Sequence, residues 1–342
     1  MATIYDVAAL AGVSPATVSR VFNGVTVSPD KTRSVRDAAA ELHFTPNRTA
    51  RTLRRQSSEV IALIIPDIEN PFFTSLARGV EDSAQAAGYS VVLCNSDEQI
   101  EKERRYINVA ISENVAGVIL APASDATNLD ALMARNKPVV AVDRSAHGYS
   151  IDSVLADNRA GGRVATEILF DRGSTRVACI SGQRNVETAQ QRAAGWRDVF
   201  EARCPDVDPD TYLLYANYRV DGGVEAMGRL LNLPTPPDAV FVANNLMAVG
   251  ALQVLEARGM TTQDLGMVAF GDLPLGTLRP RGVIVVDLPA RQLGTAAANL
   301  LIERINGDGR PARTVIIPND ANASVPAAAP ERAQHSVAER TG

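Results

Sequence analysis

The sequence predicts a small all-α helix-turn-helix domain followed by an α/β domain made of two doubly wound parallel-sheet subdomains. Three observations carry this reading. Charge is unevenly spread: residues 1–56 hold eight basic and four acidic side chains, a formal +4, which leaves −9 for the rest of a 342-residue chain whose total is −5. The first 45 residues show three short helical patterns and no strand pattern. From Val60 onward, apolar runs rich in β-branched residues alternate with amphipathic helical stretches, as in parallel sheets covered on both faces.

The head is read from the run IYDVAALAGVSPATVSRVFNG, residues 4–24. Ile4, Val7, Ala8, Leu10 and Ala11 follow helical spacing. Thr3 caps this first helix, and Asp6 three residues on completes a capping box. Gly12 makes a turn. Ser14 caps a second helix, with Pro15 at the first position, where a missing N–H costs nothing. Val18, Val21 and Phe22 form its inward face. Thr17, Ser19, Arg20 and Asn23 lie outward or at the edge, and Asn23-Gly24 stops the helix. Ser28-Pro29 starts a third helix that runs to about Leu42, with Val35, Ala38, Ala39 and Leu42 as the buried stripe. Such a unit can put its second helix into a DNA major groove. A plain helical hairpin fits the same pattern.

The next segment, FTPNRTARTLRRQSS, is too short and polar to hold a helix by itself. Between 46 and 57 its one large apolar side chain is Leu53. It is either a solvated basic linker or a segment that folds only against a partner.

In the body, nine strand-like runs are legible: 60–66, 89–95, 116–122, 138–143, 176–182, 211–217, 239–244, 266–272 and 282–289. Helices are expected over 71–87, 98–113, 158–172, 187–203, 220–231, 245–258 and 289–306. Nine strands suit two successive units, the second starting near Asp157. A polar residue closes five of the strands: Asp67, Asn95, Asp143, Asn244 and Asp272. Open α/β sheets bind ligands at the carboxyl ends of their strands. The body lacks a GxGxxG or GxxxxGK[ST] phosphate loop and a GxSxG nucleophile elbow, which argues against a nucleotide enzyme or hydrolase. Three scattered cysteines and three scattered histidines offer no metal motif, so no metal and no cofactor are expected. No apolar run approaches the ~20 residues of a spanning helix. No signal peptide is visible, so a cytoplasmic protein with no membrane partner is expected.

The runs TIYDVAALAGVSPATVSRVFNG, VSP…AAAELHFTPNRTARTLR and DIENPFF resemble the LacI/GalR-type (lactose/galactose-repressor) family of bacterial transcription regulators. The resemblance extends in register to about residue 307. It implies a homodimeric repressor on palindromic double-stranded operator DNA, controlled by a small polar effector, a carbohydrate, in the cleft of a periplasmic-binding-protein-like body. It implies DNA contacts from Thr3, Ser14, Pro15, Ala16, Thr17, Ser19, Arg20 and Asn23 in the head. In the hinge it implies contacts from Asn47, Ala50, Leu53 and Arg54, with Leu53 wedged between base pairs in the minor groove. For the effector it implies Phe73, Asp143, Arg144, Arg192, Tyr218, Asn244 and Asp272. The domains expected are 1–45 for the head, 46–57 for the hinge and 58–320 for the body. Within the body, 58–157 with 287–311 forms one subdomain and 158–286 with 312–320 the other. Residues 321–342 are expected to be a disordered tail.

This chain also departs from the family pattern. Asn245 stands where an Asp is usual after Asn244, Leu288 replaces a Gln, and Gly173-Ser174 replaces Gly-His. The rival reading is a cytoplasmic sugar sensor that does not bind DNA. An enzyme is not expected, because no nucleophile–base pair is in sight.

Overall fold

The computed structural model describes residues 2–22, 25–44, 58–271, 273 and 282–319. It divides into two compact units, Met1–Ser58 and Glu59–Gly342.

The first unit contains α1 (Ile4–Leu10), α2 (Pro15–Phe22) and α3 (Pro29–Glu41). Val7, Val18 and Val35, one from each helix, are fully buried together with Ala8, Ala38 and Ala39. The capping box forms: Asp6 accepts from the Thr3 N–H at 2.7 Å, and Thr3 Oγ1 accepts from the Asp6 N–H at 3.3 Å. Ser14 Oγ accepts from the Thr17 N–H at 3.2 Å. Ser28 holds the equivalent place before α3 but makes no side-chain cap hydrogen bond. There the start is set by Pro29, whose ring already has helical φ.

The second unit has two lobes. The first lobe holds β1 (Val60–Ile65), α4 (Pro71–Ala86), β2 (Ser90–Asn95), α5 (Ile100–Ser112), β3 (Gly117–Leu120), α6 (Asp130–Met133), β4 (Val139–Val142) and β5 (Asp152–Ala156). The second lobe holds α7 (Asn158–Asp171), β6 (Val177–Ser181), α8 (Glu187–Arg203), β7 (Leu213–Tyr215), α9 (Val220–Leu231), β8 (Ala239–Val242), α10 (Asn245–Ala257), β9 (Gly266–Phe270) and β10 (Val283–Val286). The chain then returns to the first lobe as α11 (Ala290–Ile305) and β11 (Thr314–Ile317). Sheet orders are β11-β5-β4-β3-β1-β2 and β10-β9-β8-β6-β7, with every pairing parallel.

Two strands go beyond the nine read from the sequence, and they correct the subdomain limits. β11 pairs with β5, Val315 opposite Val154, so its segment belongs to the first lobe and not to the second. Both strands are short, and β11 is a half-exposed edge. Which sheet such a strand joins is decided by a distant partner, which its own few residues do not reveal.

The layers pack tightly at glycines. A Cβ on Gly79 in α4 would lie 2.2 Å from the Arg291 carbonyl oxygen, and one on Gly294 in α11 would lie 2.1 Å from that of Leu76. Gly162 and Gly195 join α7 to α8 in the same reciprocal way. At these crossings backbone meets backbone, which only a missing side chain allows.

Asp152 ties the late return to the first lobe. Its carboxylate accepts from Arg304 Nε at 2.7 Å, Arg304 Nη2 at 2.9 Å and the Arg313 N–H at 2.9 Å. Burial alone raises the Asp152 pKa, but the bonds from Arg304 and Arg313 outweigh it, so the net shift is downward. A carboxylate lowered in the folded state adds stability that is present above the ordinary carboxylate range and is lost as pH falls through the lower folded value. Asp152→Ala is expected to cost about 3 kcal/mol by removing the carboxylate that accepts from Arg304 and the Arg313 N–H, each such bond to a charged group contributing about 1.5–3 kcal/mol. Urea melts at pH 7 and at pH 3 check this: the difference between wild type and variant should shrink at the lower pH.

Candidate functional site

The carboxyl ends of both sheets face one cleft with ≈540 Å³ of atom-free space, part of it open to solvent. Six of the seven residues expected to contact effector line it: Phe73, Asp143, Arg144, Arg192, Tyr218 and Asn244. The seventh, Asp272, lies outside the described residues.

Arg192 is carried by α8 and is 5% exposed. Its Nε donates to Asn158 Oδ1 and its Nη1 to the Ala243 carbonyl oxygen, both at 2.8 Å. Its guanidinium also lies 4.5 Å from the centre of the Phe270 ring. Burial pulls its pKa below the ordinary value, opposed by Tyr218 and Asp143 nearby. Tyr218 shares a 2.9 Å hydrogen bond with Thr188 Oγ1. Its ring fills the space over Gly182, where a Cβ would lie 2.0 Å from Tyr218 Cζ. Asn244 caps α10, accepting from the Met247 N–H at 2.9 Å.

On the first lobe, Asp143 follows β4 in left-handed backbone with φ +68, and Tyr218 on the second has φ +64. Non-glycine residues held there mark positions whose surroundings over-determine them. Burial raises the Asp143 pKa, with Arg144 and Arg192 opposing. Phe73 is both core and lining: it is 4% exposed and meets Phe72 edge-on, 4.9 Å between centres. Asp67 also lines the cleft and accepts from the Glu69 N–H at 2.9 Å.

The lobes touch through polar groups. Glu187, at the start of α8, accepts from the Ser145 N–H at 2.6 Å and the Ser145 hydroxyl at 3.1 Å. Asn245 Nδ2 donates to Asn70 Oδ1 at 3.3 Å. The Asn in place of the usual Asp therefore keeps a lobe contact, because an amide can donate to the Asn70 oxygen where a carboxylate could not.

Sequence reasoning missed Glu98, Asn70, Thr188, Asn217, Arg219 and Phe270, all of which line the cleft. Phe270 precedes Gly271-Asp272 at a strand end and was findable by that position. Glu98 sits in a turn after β2 and carries no local signal. Leu288 lines the cleft where a Gln is usual, presenting an apolar group there.

In the head, Ala16 and Arg20 on α2 are exposed, as are Thr3 and Ser14. Pro15, Thr17 and Ser19 are half-buried. The outward face of α2 is thus free of the three-helix core. Asn23, Asn47, Ala50, Leu53 and Arg54 lie outside the described residues.

Residues 3–47 match the model of bacterial regulatory proteins of the lacI family, and residues 58–326 match that of periplasmic binding proteins and the sugar binding domain of the LacI family. The chain belongs to the LacI family. It is a DNA-binding transcription regulator. Among its relatives is the ribose operon repressor of Halalkalibacterium halodurans, 38% identical over 89% of this chain and 91% of the relative. The complex of the transcriptional regulator CelR with cellobiose is 30% identical, with a TM-score of 0.71 over 93% of this chain and 98% of that one. The Lac repressor dimer bound to operator and the anti-inducer ONPF is 25% identical, with a TM-score of 0.82 over 93% and 96%. Among the described residues of this LacI-family regulator, no helix is long and apolar enough to cross a membrane and no group of His, Cys, Asp and Glu could hold a metal.

Gly162→Ala would put a methyl group 2.4 Å from the Arg192 carbonyl oxygen. The helices must separate, and a loss of about 2 kcal/mol is expected, typical of overpacking. Chemical denaturation measures the loss, and a change below 0.5 kcal/mol would show that the crossing yields freely.

Proposed function

We propose that this regulator is a cytoplasmic homodimeric repressor that binds a palindromic operator and takes a carbohydrate effector in the inter-lobe cleft. The observation that carries this is the composition of the cleft. Aromatic faces of Phe73, Tyr218 and Phe270 adjoin buried guanidinium, carboxylate and amide groups, which suits a ligand with apolar C–H faces and many hydroxyls. The ribose and cellobiose named for its relatives support the same ligand class.

For DNA, the outward face of α2 offers Pro15 and Ala16 first. Neither can hydrogen-bond a base through its side chain, so both suit apolar contact such as a thymine methyl. Arg20, exposed farther along, has the fork that suits guanine. Residues 46–57 serve as the hinge, with Leu53 as the minor-groove wedge. The homodimer reading is supported by the first lobe's edge. There β2 exposes Val92 and Leu93, and a groove beside α4 is lined by Leu63, Ala77, Val91 and Leu93.

Effector bound to both lobes favours the closed cleft, which changes the spacing of two hinge segments in a dimer and so their readiness to fold on DNA. Coupling of this kind is reciprocal: operator must alter effector affinity by the same factor.

Mobility shift on palindromic DNA from upstream of its own gene tests the reading. A retarded dimer complex is expected, weakened by Leu53→Ala. Arg20→Ala should relax selectivity at one base pair per half-site, by about 1–3 kcal/mol. A uniform loss on all sequences would instead make Arg20 a phosphate contact. No retardation at low salt would favour a sugar sensor without DNA binding. A thermal-shift screen with free sugars should show a shift that disappears in Arg192→Ala. Glu187→Ala, which removes both bonds to Ser145, should weaken sugar binding at least tenfold, since hydrogen bonds to a charged group contribute about 1.5–3 kcal/mol each. Calorimetry reads that ratio.

A further inference from the structure

Glu98 lines the effector cleft from a turn, in left-handed backbone with φ +57 directly after Asp97 at φ +52. Non-glycine residues pay for that conformation, so the surroundings must hold it. The Glu98 backbone N–H donates to the Pro66 carbonyl oxygen at 3.2 Å, and its side chain is held by Arg144. Its Nη1 and Nη2 donate to the two Glu98 oxygens, each at 2.8 Å. The two side chains are 6% and 15% exposed, Arg144 the more enclosed. Nη1 also donates to the Pro122 carbonyl oxygen at 3.1 Å. Arg144 Nε lies 3.5 Å from the Asp143 carboxylate and has no hydrogen-bond partner. Arg144 is therefore flanked by two carboxylates: its charge is compensated, while one buried N–H is left to donate.

Among the described residues the lining has the same balance. Its carboxylates are Asp67, Glu98 and Asp143, and its guanidinium groups are Arg144, Arg192 and Arg219. Arg192 spends donors on Asn158 and the Ala243 carbonyl, and Arg219 Nη1 lies 4.0 Å from Glu69. A phosphate brought to Arg144 would meet Glu98 and Asp143 in a desolvated site, where like charges repel most strongly. A sugar hydroxyl can accept from Arg144 and donate to Asp143 with no change in net charge.

We propose that Glu98 is a specificity residue that cancels the charge of Arg144, so that the cleft accepts uncharged polyhydroxylated ligands and rejects their phosphate esters. This rests on reading the cleft as a carbohydrate site. Discrimination comes from a built-in repulsive element as much as from attraction.

The test is calorimetry on the full chain with D-ribose, D-glucose, D-ribose 5-phosphate and D-glucose 6-phosphate. Wild type should bind at least one free sugar 100-fold or more tighter than its ester. Glu98→Gln keeps the size and one acceptor oxygen but loses the charge. It should raise affinity for the ester at least tenfold and narrow the ratio accordingly. Melting curves and operator mobility shift report whether the variant folds, and the wild-type ratio needs no variant. Tighter binding of an ester by wild type would overturn the proposal and leave the carbohydrate reading standing. Equal loss for sugar and ester in Glu98→Gln would also overturn it, making Glu98 a support for the turn and nothing more. Binding of a nucleobase such as hypoxanthine with no response to any sugar or ester would overturn the carbohydrate reading itself.

Discussion

A single buried guanidinium organises the cleft face of the second lobe. Arg192 leaves α8 and reaches the start of α7 through Asn158, the end of β8 through the Ala243 carbonyl, and the end of β9 through the Phe270 ring. Three elements far apart in the chain are thereby set at fixed positions around the ligand space. A buried charge is costly unless its donors are satisfied, so this arrangement tolerates little displacement. The glycine crossing of α7 and α8 belongs to the same constraint: Gly162 lies against the Arg192 carbonyl, which brings that turn of α8 down toward Asn158. Asn158 in turn sits just after the chain passes from one lobe to the other at Asp157.

Each lobe keeps its own apolar core. The first has clusters on the two faces of its sheet, one around Ile61, Leu63 and Leu301 and the other around Ile64, Leu120 and Leu129. The second is built around Trp196, Phe200 and Phe241. Between the lobes the contacts are mostly polar: Ser145 with Glu187, Asn70 with Asn245 and Arg219 with Glu69, with Leu288 packed against the cores of both lobes. An apolar interface would lock the lobes, because separating it exposes hydrocarbon to water at about 25 cal/mol per Å². Polar contacts exchange with water: the neutral Asn245–Asn70 bond gives a net of only about 1 kcal/mol, and the Ser145 bonds to the Glu187 carboxylate about 1.5–3 kcal/mol each. The division of labour follows: rigid lobes, a yielding seam, and a ligand able to bias the seam by its own contacts.

Much of this was legible in the residues. Caps and helix starts at Thr3, Ser14 and Pro29 are local chemistry, and the apolar alternation marked nine strands because a strand buried on both faces needs a continuous hydrophobic run. Polar residues at strand ends pointed to Asp67, Asn95, Asp143, Asn244 and Asp272, and the family resemblance also to Phe73, Arg144, Arg192 and Tyr218. Asp67, Asp143, Asn244, Phe73, Arg144, Arg192 and Tyr218 gather in one cleft, Asn95 instead accepts from the Ile68 N–H and donates to Asp97, and Asp272 lies outside the described residues. What stayed hidden has a common cause. β5 and β11 are short, Glu98 sits in a turn, and Asn70 is a helix cap whose second bond crosses to the other lobe. Each depends on a partner tens to hundreds of residues away.

By itself, then, the sequence determined the element types and the three-helix head, because those follow from periodicity, capping and residue type, and its motifs carried the family resemblance that implied the chemical character of the cleft. Only the tertiary structure decided that β11 closes the first sheet, that Asn245 reaches Asn70, and that Glu98 grips Arg144. Ladder pairing, lobe contact and charge compensation are relations between distant groups, and no stretch of chain encodes its half of such a pair in a form readable without the other.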